Sequence, residues 1–276
     1  MSDRRLLPAN GRVAAAHLRG IVDAARYVEG EAAGVILPVA DLWAAPDARA
    51  RDRQLLMGDS VRIYERVDGM AFVRADRDGY VGYVAEAALG DIPSATHIVG
   101  VPASHLYPVP DMKVPPVARL SFGARLRVVA ASDGFFELWD GRHVPRPHLR
   151  PANKPFEDPA RVAQLFFGVP YLWGGNGADG IDCSGLVQAA LISSGHPCPG
   201  DSDLQEGAVG RVLEPDEPME RGDLLFWRGH VAMAVDREVL IHANAYHMAV
   251  SYEPASDAIA RIEAQGGGPV TTRRRL

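Results

Sequence analysis

Cysteine is scarce in this chain, with only Cys183 and Cys198 among 276 residues. Two thiols cannot build a disulfide framework, so stability must come from apolar packing. A bridge between them would silence the better placed thiol, and both are expected to be free. Lysine is almost missing too, with Lys113 and Lys154 its sole occurrences. Arginine supplies the other cations, as biased genome composition would produce. The formal net charge is −6. That excludes a phosphate-backbone binder, which needs a basic surface, so no nucleic-acid partner is expected. No run of 18 apolar residues occurs, and no membrane span is expected. The segment from Met1 to Gly30 lacks the continuous apolar stretch of a secretion signal, because Arg12, His17, Arg19, Asp23 and Arg26 interrupt it. The expected compartment is the cytoplasm.

Apolar residues make up 47% and charged residues 23%, the balance of a folded globular chain. In the first 34 residues Val13, Ala16, Leu18, Ile21, Ala24, Ala25 and Val28 recur at helical spacing, which predicts an amphipathic helix. From 35 to 92 short β-type runs follow, at Val35 to Val39, Ser60 to Tyr64, Ala71 to Arg74 and Tyr80 to Val84, punctuated by Pro, Asp and Gly. Strands this short and closely spaced suggest a small barrel. The pattern returns from 93 to 152. There Leu120 to Val129 resembles Leu55 to Ile63, and His148-Leu149 echoes Ala88-Leu89. This reads as an internal repeat, two small barrels in tandem. Asn153-Lys154-Pro155 reads as a linker into a last region, 153 to 276. Asp158 can cap a helix with Pro159 at its first turn. A second helix runs from Cys183, four strands follow between Asp223 and Ser251, and a helix near Ser256 to Glu263 precedes an Arg-rich tail expected to be mobile and without function.

Asp182-Cys183-Ser184-Gly185 opens the cysteine helix. Unpaired N–H groups and the helix dipole at that end favour a thiolate, which lowers a free-thiol pKa of about 8.5. A cysteine nucleophile needs a base to take its proton and return it to the leaving amine. His230 begins one strand and His242 lies in the next, with Asp236-Arg237-Glu238 turning between them. Paired strands would set the two rings side by side. His230 then faces the thiol, and His242 orients it through its second nitrogen. Zinc held by Cys183, His230 and His242 is the rival chemistry. The usual Cys-x-x-Cys and His-x-x-x-His spacings are absent, so neither metal nor cofactor is expected. His247 is read as structural.

These residues carry a resemblance. Tyr171-x-Trp173-Gly174-Gly175, Asp182-Cys183-Ser184-Gly185-Leu186-Val187, Gly222 to Phe226 with Gly229-His230-Val231-Ala232, and Ile241-His242-Ala243 resemble the NlpC/P60 cysteine peptidases. Leu-x-x-Gly turns and the Asp78-Gly79-Tyr80-x-Gly82-Tyr83-Val84 ending resemble bacterial SH3-like (SH3b) domains. The second copy departs from that ending, with Asp140-Gly141-Arg142-His143-Val144-Pro145 in its place. The implied fold class is α+β, a papain-like catalytic domain preceded by two small SH3-like β-barrels. The family hydrolyses bacterial cell-wall peptides. By resemblance Cys183 is the nucleophile, His230 the base, His242 the orienting residue, and Tyr171 helps bind the oxyanion with the Cys183 N–H.

The order of domains resembles a narrower group, γ-D-glutamyl-L-diamino-acid endopeptidases of the dipeptidyl-peptidase VI type. These act on released murein peptides that carry a free N-terminal L-Ala. Such recognition needs acceptors for an ammonium group. Asp182 and Ser184 suit that task, Asp201 and Ser202 could add to it, and Trp173 could wall the alanine methyl. In that group the first SH3b module also closes the pocket, and Tyr80 is the candidate contributor. The implied activity is hydrolysis of the γ-D-Glu–diamino acid bond in murein recycling, with L-Ala-γ-D-Glu-diamino acid peptides as partners. Two other readings stay open: a papain-like acyltransferase or amidase using the same triad, and a non-catalytic tandem SH3b murein-binding protein.

Overall fold

The computed structural model describes residues 3–276, and the chain divides into two compact units, residues 1–153 and 154–276. No helix among the described residues is long and apolar enough to cross a membrane.

The first unit is all β apart from single 3-10 turns. A seven-stranded sheet orders its strands as Arg51–Leu56, Val39–Trp43, Val81–Ala85, Met70–Ala75, Ser60–Val67, Glu31–Val35 and Leu89–Gly90. Alternating residues such as Val61, Ile63, Val73 and Ala75 fill one core with Leu42 and Leu55. Tyr80, expected at a pocket wall, belongs to this core and is 2% exposed. The Arg53 guanidinium lies over its ring at 5.8 Å from the centroid. A ring packed there supports the barrel and presents no face to a ligand.

The N-terminal segment is not a helix. Val13–Ala15 and Arg26–Val28 form a parallel strand pair, with one 3-10 turn at Ala16–Leu18. Gly11 and Gly20 adopt positive φ and break any helical run. Val13, Ala14, Ala15 and Leu18 pack instead on Tyr64, Phe72 and Tyr83 of the sheet. Tertiary burial here overrides a helical spacing of apolar residues.

The second β region, His97 to Pro151, forms three short sheets around Val99, Leu106, Leu120, Leu126, Leu138 and Val144. Met57, in the turn after the Arg51–Leu56 strand, joins that core. The Arg125 N–H donates to the Met57 carbonyl at 2.8 Å, which pins the two β regions together.

The second unit is α+β. Helix α1, Pro159–Leu165, starts at Asp158, whose carboxylate accepts from the N–H groups of Ala160 and Arg161. Helix α2, Cys183–Ser193, packs on an antiparallel sheet ordered Arg211–Val212, Thr272–Arg275, Leu224–Trp227, His230–Ala234, Val239–Asn244 and Ala249–Pro254. Helix α3 is Ser202–Ala208 and helix α4 is Ala255–Ala264. The Arg-rich tail is an inner strand of this sheet, not a mobile end. Arg275 makes 2.8 Å ion-pair contacts with Asp223, which is 1% exposed. A buried carboxylate needs a cation, and the tail supplies it.

Candidate active site

Cys183 is the first residue of α2, and Asp182 caps the helix. Asp182 Oδ1 accepts from the Gly185 N–H at 2.6 Å and the Ser184 hydroxyl at 2.9 Å. Its Oδ2 accepts from the Gly174 N–H at 3.0 Å. One carboxylate therefore fastens the Trp173-Gly174-Gly175 loop to the first turn of α2. The two backbones meet closely, since a Cβ on Gly185 would stand 2.5 Å from the Gly175 carbonyl oxygen. Only glycine permits that approach.

The sheet brings the histidines together. Trp227 pairs with His230 across a tight turn, and Met233 pairs with Ile241 on the next strand. Extending that register sets His230 and His242 diagonally on one face. His230 Nε2 and His242 Nδ1 are 2.9 Å apart. The Val231 N–H, one residue beyond His230, hydrogen-bonds the Cys183 sulfur. The Cys183 sulfur thus lies at the start of the strand that His230 opens. His242 is completely buried and its second nitrogen, Nε2, lies 3.0 Å from Glu253 Oε2. Both of its ring nitrogens are engaged within the protein, which leaves none for a metal ion.

Glu253 is a site residue that sequence reasoning missed. His242 pairs with Ser251, and Glu253 follows two residues later on the same face of the strand. That period-two step was the available signal. Arg261 on α4 grips Glu253 with contacts of 2.8 and 2.7 Å. The Arg261 guanidinium holds the Glu253 carboxyl below the usual carboxylate range, against the opposing effect of burial.

Burial governs the reactive groups. It pushes the Cys183 thiol up to about 12, and the neighbouring Asp182 charge adds to that. The N–H groups of Val231, Ser184 and Cys183 oppose it without prevailing. The helix end therefore does not by itself yield a thiolate. Burial lowers His230 to about 3, and the nearby His242 contributes. His242 is lowered to about 4 by burial, against the pull of Glu253. Burial thus favours a neutral thiol and neutral imidazoles. Either charge alone is disfavoured, but transfer of the proton from sulfur to His230 creates both together. Their attraction then offsets part of the desolvation. Burial and the charges of Cys183 and Asp182 raise the Tyr171 phenol. It stays a hydrogen-bond donor at neutral pH.

Ser184, Asp182 and Tyr171 thus gather around Cys183. Trp173 is 70% exposed at the loop tip. Asp201 and Ser202 start α3, where Asp201 takes φ 58° and makes no side-chain cap. Gln205 of α3 donates to the Ser184 carbonyl at 2.9 Å and ties that helix to α2. His247 closes the turn after the Val239–Asn244 strand through Asn244 and Ser251. Cys198 is a buried free thiol, as is Cys183.

Residues 168–263 match the NlpC/P60 family, and residues 42–89 match the bacterial dipeptidyl-peptidase SH3 domain. The stretch 168–263 is an NlpC/P60 domain. NlpC/P60 is a cysteine peptidase family. The NlpC/P60 match spans α2, both histidines and Glu253. A dipeptidyl-peptidase 6 of Lysinibacillus sphaericus is 27% identical over 235 residues, covering 76% of this chain and 86% of its own. A γ-D-glutamyl-L-lysine dipeptidyl-peptidase of Bacillus subtilis (strain 168) is 26% identical over 243 residues, covering 70% of this chain and 80% of its own. An NlpC/P60 family protein from Bacillus cereus ATCC 10987 shares the fold, with a TM-score of 0.74 over 89% of this chain and 99% of that one at 20% identity.

Proposed function

We propose that this NlpC/P60 enzyme cleaves the γ-D-Glu–diamino acid bond of L-Ala-γ-D-Glu-diamino acid peptides during cytoplasmic murein recycling. The reading rests chiefly on the Cys183, His230 and His242 set, in which the amide that bonds the thiol belongs to the residue next to the histidine base. The name of the Bacillus subtilis relative, a γ-D-glutamyl-L-lysine dipeptidyl-peptidase, supports the bond type.

In this reading His230 takes the Cys183 proton as the sulfur attacks the γ-carbonyl carbon. The oxyanion is held by the Cys183 N–H and the Tyr171 hydroxyl. Collapse breaks the C–N bond, and His230 gives its proton to the departing amine of the diamino acid. A thioester to L-Ala-D-Glu remains. Water then attacks it, His230 accepts the water proton, and the proton returns to the sulfur. Asp182 and Ser184 face the free ammonium of L-Ala, aided by Asp201 and Ser202, and Trp173 covers the methyl. The whole division is read as an N-terminal segment at 1–34, an SH3b domain at 35–92, a divergent second copy at 93–152 and the peptidase at 153–276.

The test is mass spectrometry of products from the tripeptide, with and without N-acetylation of alanine. Wild-type protein should release L-Ala-D-Glu from the free peptide alone, and Cys183→Ala should release none. Turnover by that variant refutes the assignment of the nucleophile, and cleavage of the acetylated peptide refutes the free-amine requirement.

A further inference from the structure

Beyond the two histidines lies a charge pair that the reaction scheme has not used. Glu253 sits on the Ala249–Pro254 strand and Arg261 on α4. The Arg261 guanidinium also lies over the Tyr246 ring, 4.6 Å from its centroid, and reaches Gln265 at 3.1 Å. Contacts on several sides hold this cation in place. Resting on the proposed roles of Cys183 and His230, we propose that Glu253 and Arg261 are positioning residues that set the tautomer of both histidines and so aim a bare His230 nitrogen at the thiol.

The argument follows the hydrogens. An ionised carboxylate can only accept. His242 Nε2, 3.0 Å from Glu253 Oε2, must therefore carry a hydrogen. A neutral ring has one N–H, so His242 Nδ1 is bare and accepts. Its partner at 2.9 Å, His230 Nε2, must then donate. That leaves His230 Nδ1 bare, the one nitrogen of the pair free to take a proton. One fixed negative charge thus orients two rings in series. With a neutral acceptor such as an amide in its place, the chain could run either way, and half of the arrangements would point an N–H at the sulfur.

Arg261 has the complementary task. An unpaired carboxylate would raise the pH at which His242 takes a second proton. The Arg261 charge opposes this and disfavours protonation of both rings. The charged and titratable groups facing the pair are Cys183 at the thiol side, Glu253 and Arg261 behind His242, and His247 beyond the strand end.

Histidine side-chain nitrogen NMR and the pH profile of Cys183 alkylation by iodoacetamide, read at that residue by mass spectrometry, test this without any murein substrate. In the wild type both rings should show the Nε2–H tautomer at pH 7. Glu253→Gln keeps the side-chain shape but loses the charge. It should give mixed tautomers, slow alkylation at pH 7 by about 10- to 100-fold, and move the acid limb down. Arg261→Met should keep the tautomers and move the acid limb up by about one unit. Opposite movements cannot arise from simple loosening of the fold. If Arg261→Met does not fold, the isosteric Glu253→Gln decides alone. Unchanged tautomers in Glu253→Gln, or limbs that move together, overturn the proposal. Failure of the wild type to cut the tripeptide while these responses hold would instead remove the peptidase reading.

Discussion

His230 Nε2 stands 2.9 Å from His242 Nδ1, one imidazole bonded directly to another. The partner of His230 is a second ring, and the carboxylate of Glu253 stands one step further back. This keeps the Glu253 charge one ring further from the buried thiol. It also makes the site sensitive to acid, because protonating either ring breaks the donor-to-acceptor order.

The first prediction concerns that sensitivity. His230 and His242 are lowered to about 3 and about 4, below the ordinary value of 6.5. The unfolded chain takes up protons below about 6.5 that the folded site refuses. Their stabilising contribution is therefore complete above that value and is lost as pH falls toward about 4. Each ring contributes at most about 1.4 kcal/mol per pH unit. Urea midpoints between pH 7 and 4.5 should fall less steeply in His242→Asn than in the wild type. Equal slopes would contradict burial of a neutral His242.

Asp182 serves both helix and loop. Asp182→Ala removes the cap on Gly185 and the link to Gly174. The expected loss is about 2 kcal/mol in chemical denaturation, with Cys183 more open to alkylation. A stability change near zero would show that the loop and α2 hold without it.

Gly58 joins the two β regions. It has φ 84°, and a Cβ there would stand 1.9 Å from the Arg125 carbonyl oxygen. Gly58→Ala should cost about 1–3 kcal/mol, from backbone strain and steric overlap together. Gly69 also has positive φ, but with nothing within 4 Å. Gly69→Ala is the control and should cost less by the steric part. Equal losses, measured by guanidinium unfolding, would show that the contact at Gly58 is not tight.

Arg275 neutralises a buried carboxylate. Arg275→Met should lower the thermal midpoint, because Asp223 loses its bidentate partner. Adding Asp223→Asn should recover part of the loss. A double variant no more stable than Arg275→Met would show that strand pairing, not the ion pair, holds the tail.

Much of the peptidase unit could be read along the chain. Asp158 before Pro159, and Asp182 before a run of small and apolar residues, are local cap signals, and both cap helices. His230 and His242 stand on adjacent strands joined by a short turn. Errors fell where distant residues decide the outcome. Val13 to Leu18 follows helical spacing but finds its partners in Tyr64, Phe72 and Tyr83. The tail from Thr272 to Arg275 looks like a charged end until Leu224–Trp227 offers it a ladder.

The order of residues alone determined which chemistry is available here: one thiol at a helix start, two imidazoles a hairpin apart, and glycines where backbones must touch. Those features are local, set by cap chemistry, strand alternation and the lack of a Cβ. Folding in three dimensions decided the protonation of that chemistry. Burial removes water from the thiol and both rings, and Glu253 and Arg261 arrive from a strand and a helix further along the chain to set the direction of the hydrogen bonds. Desolvation and long-range pairing depend on what surrounds a group in space, and no short stretch of sequence contains that.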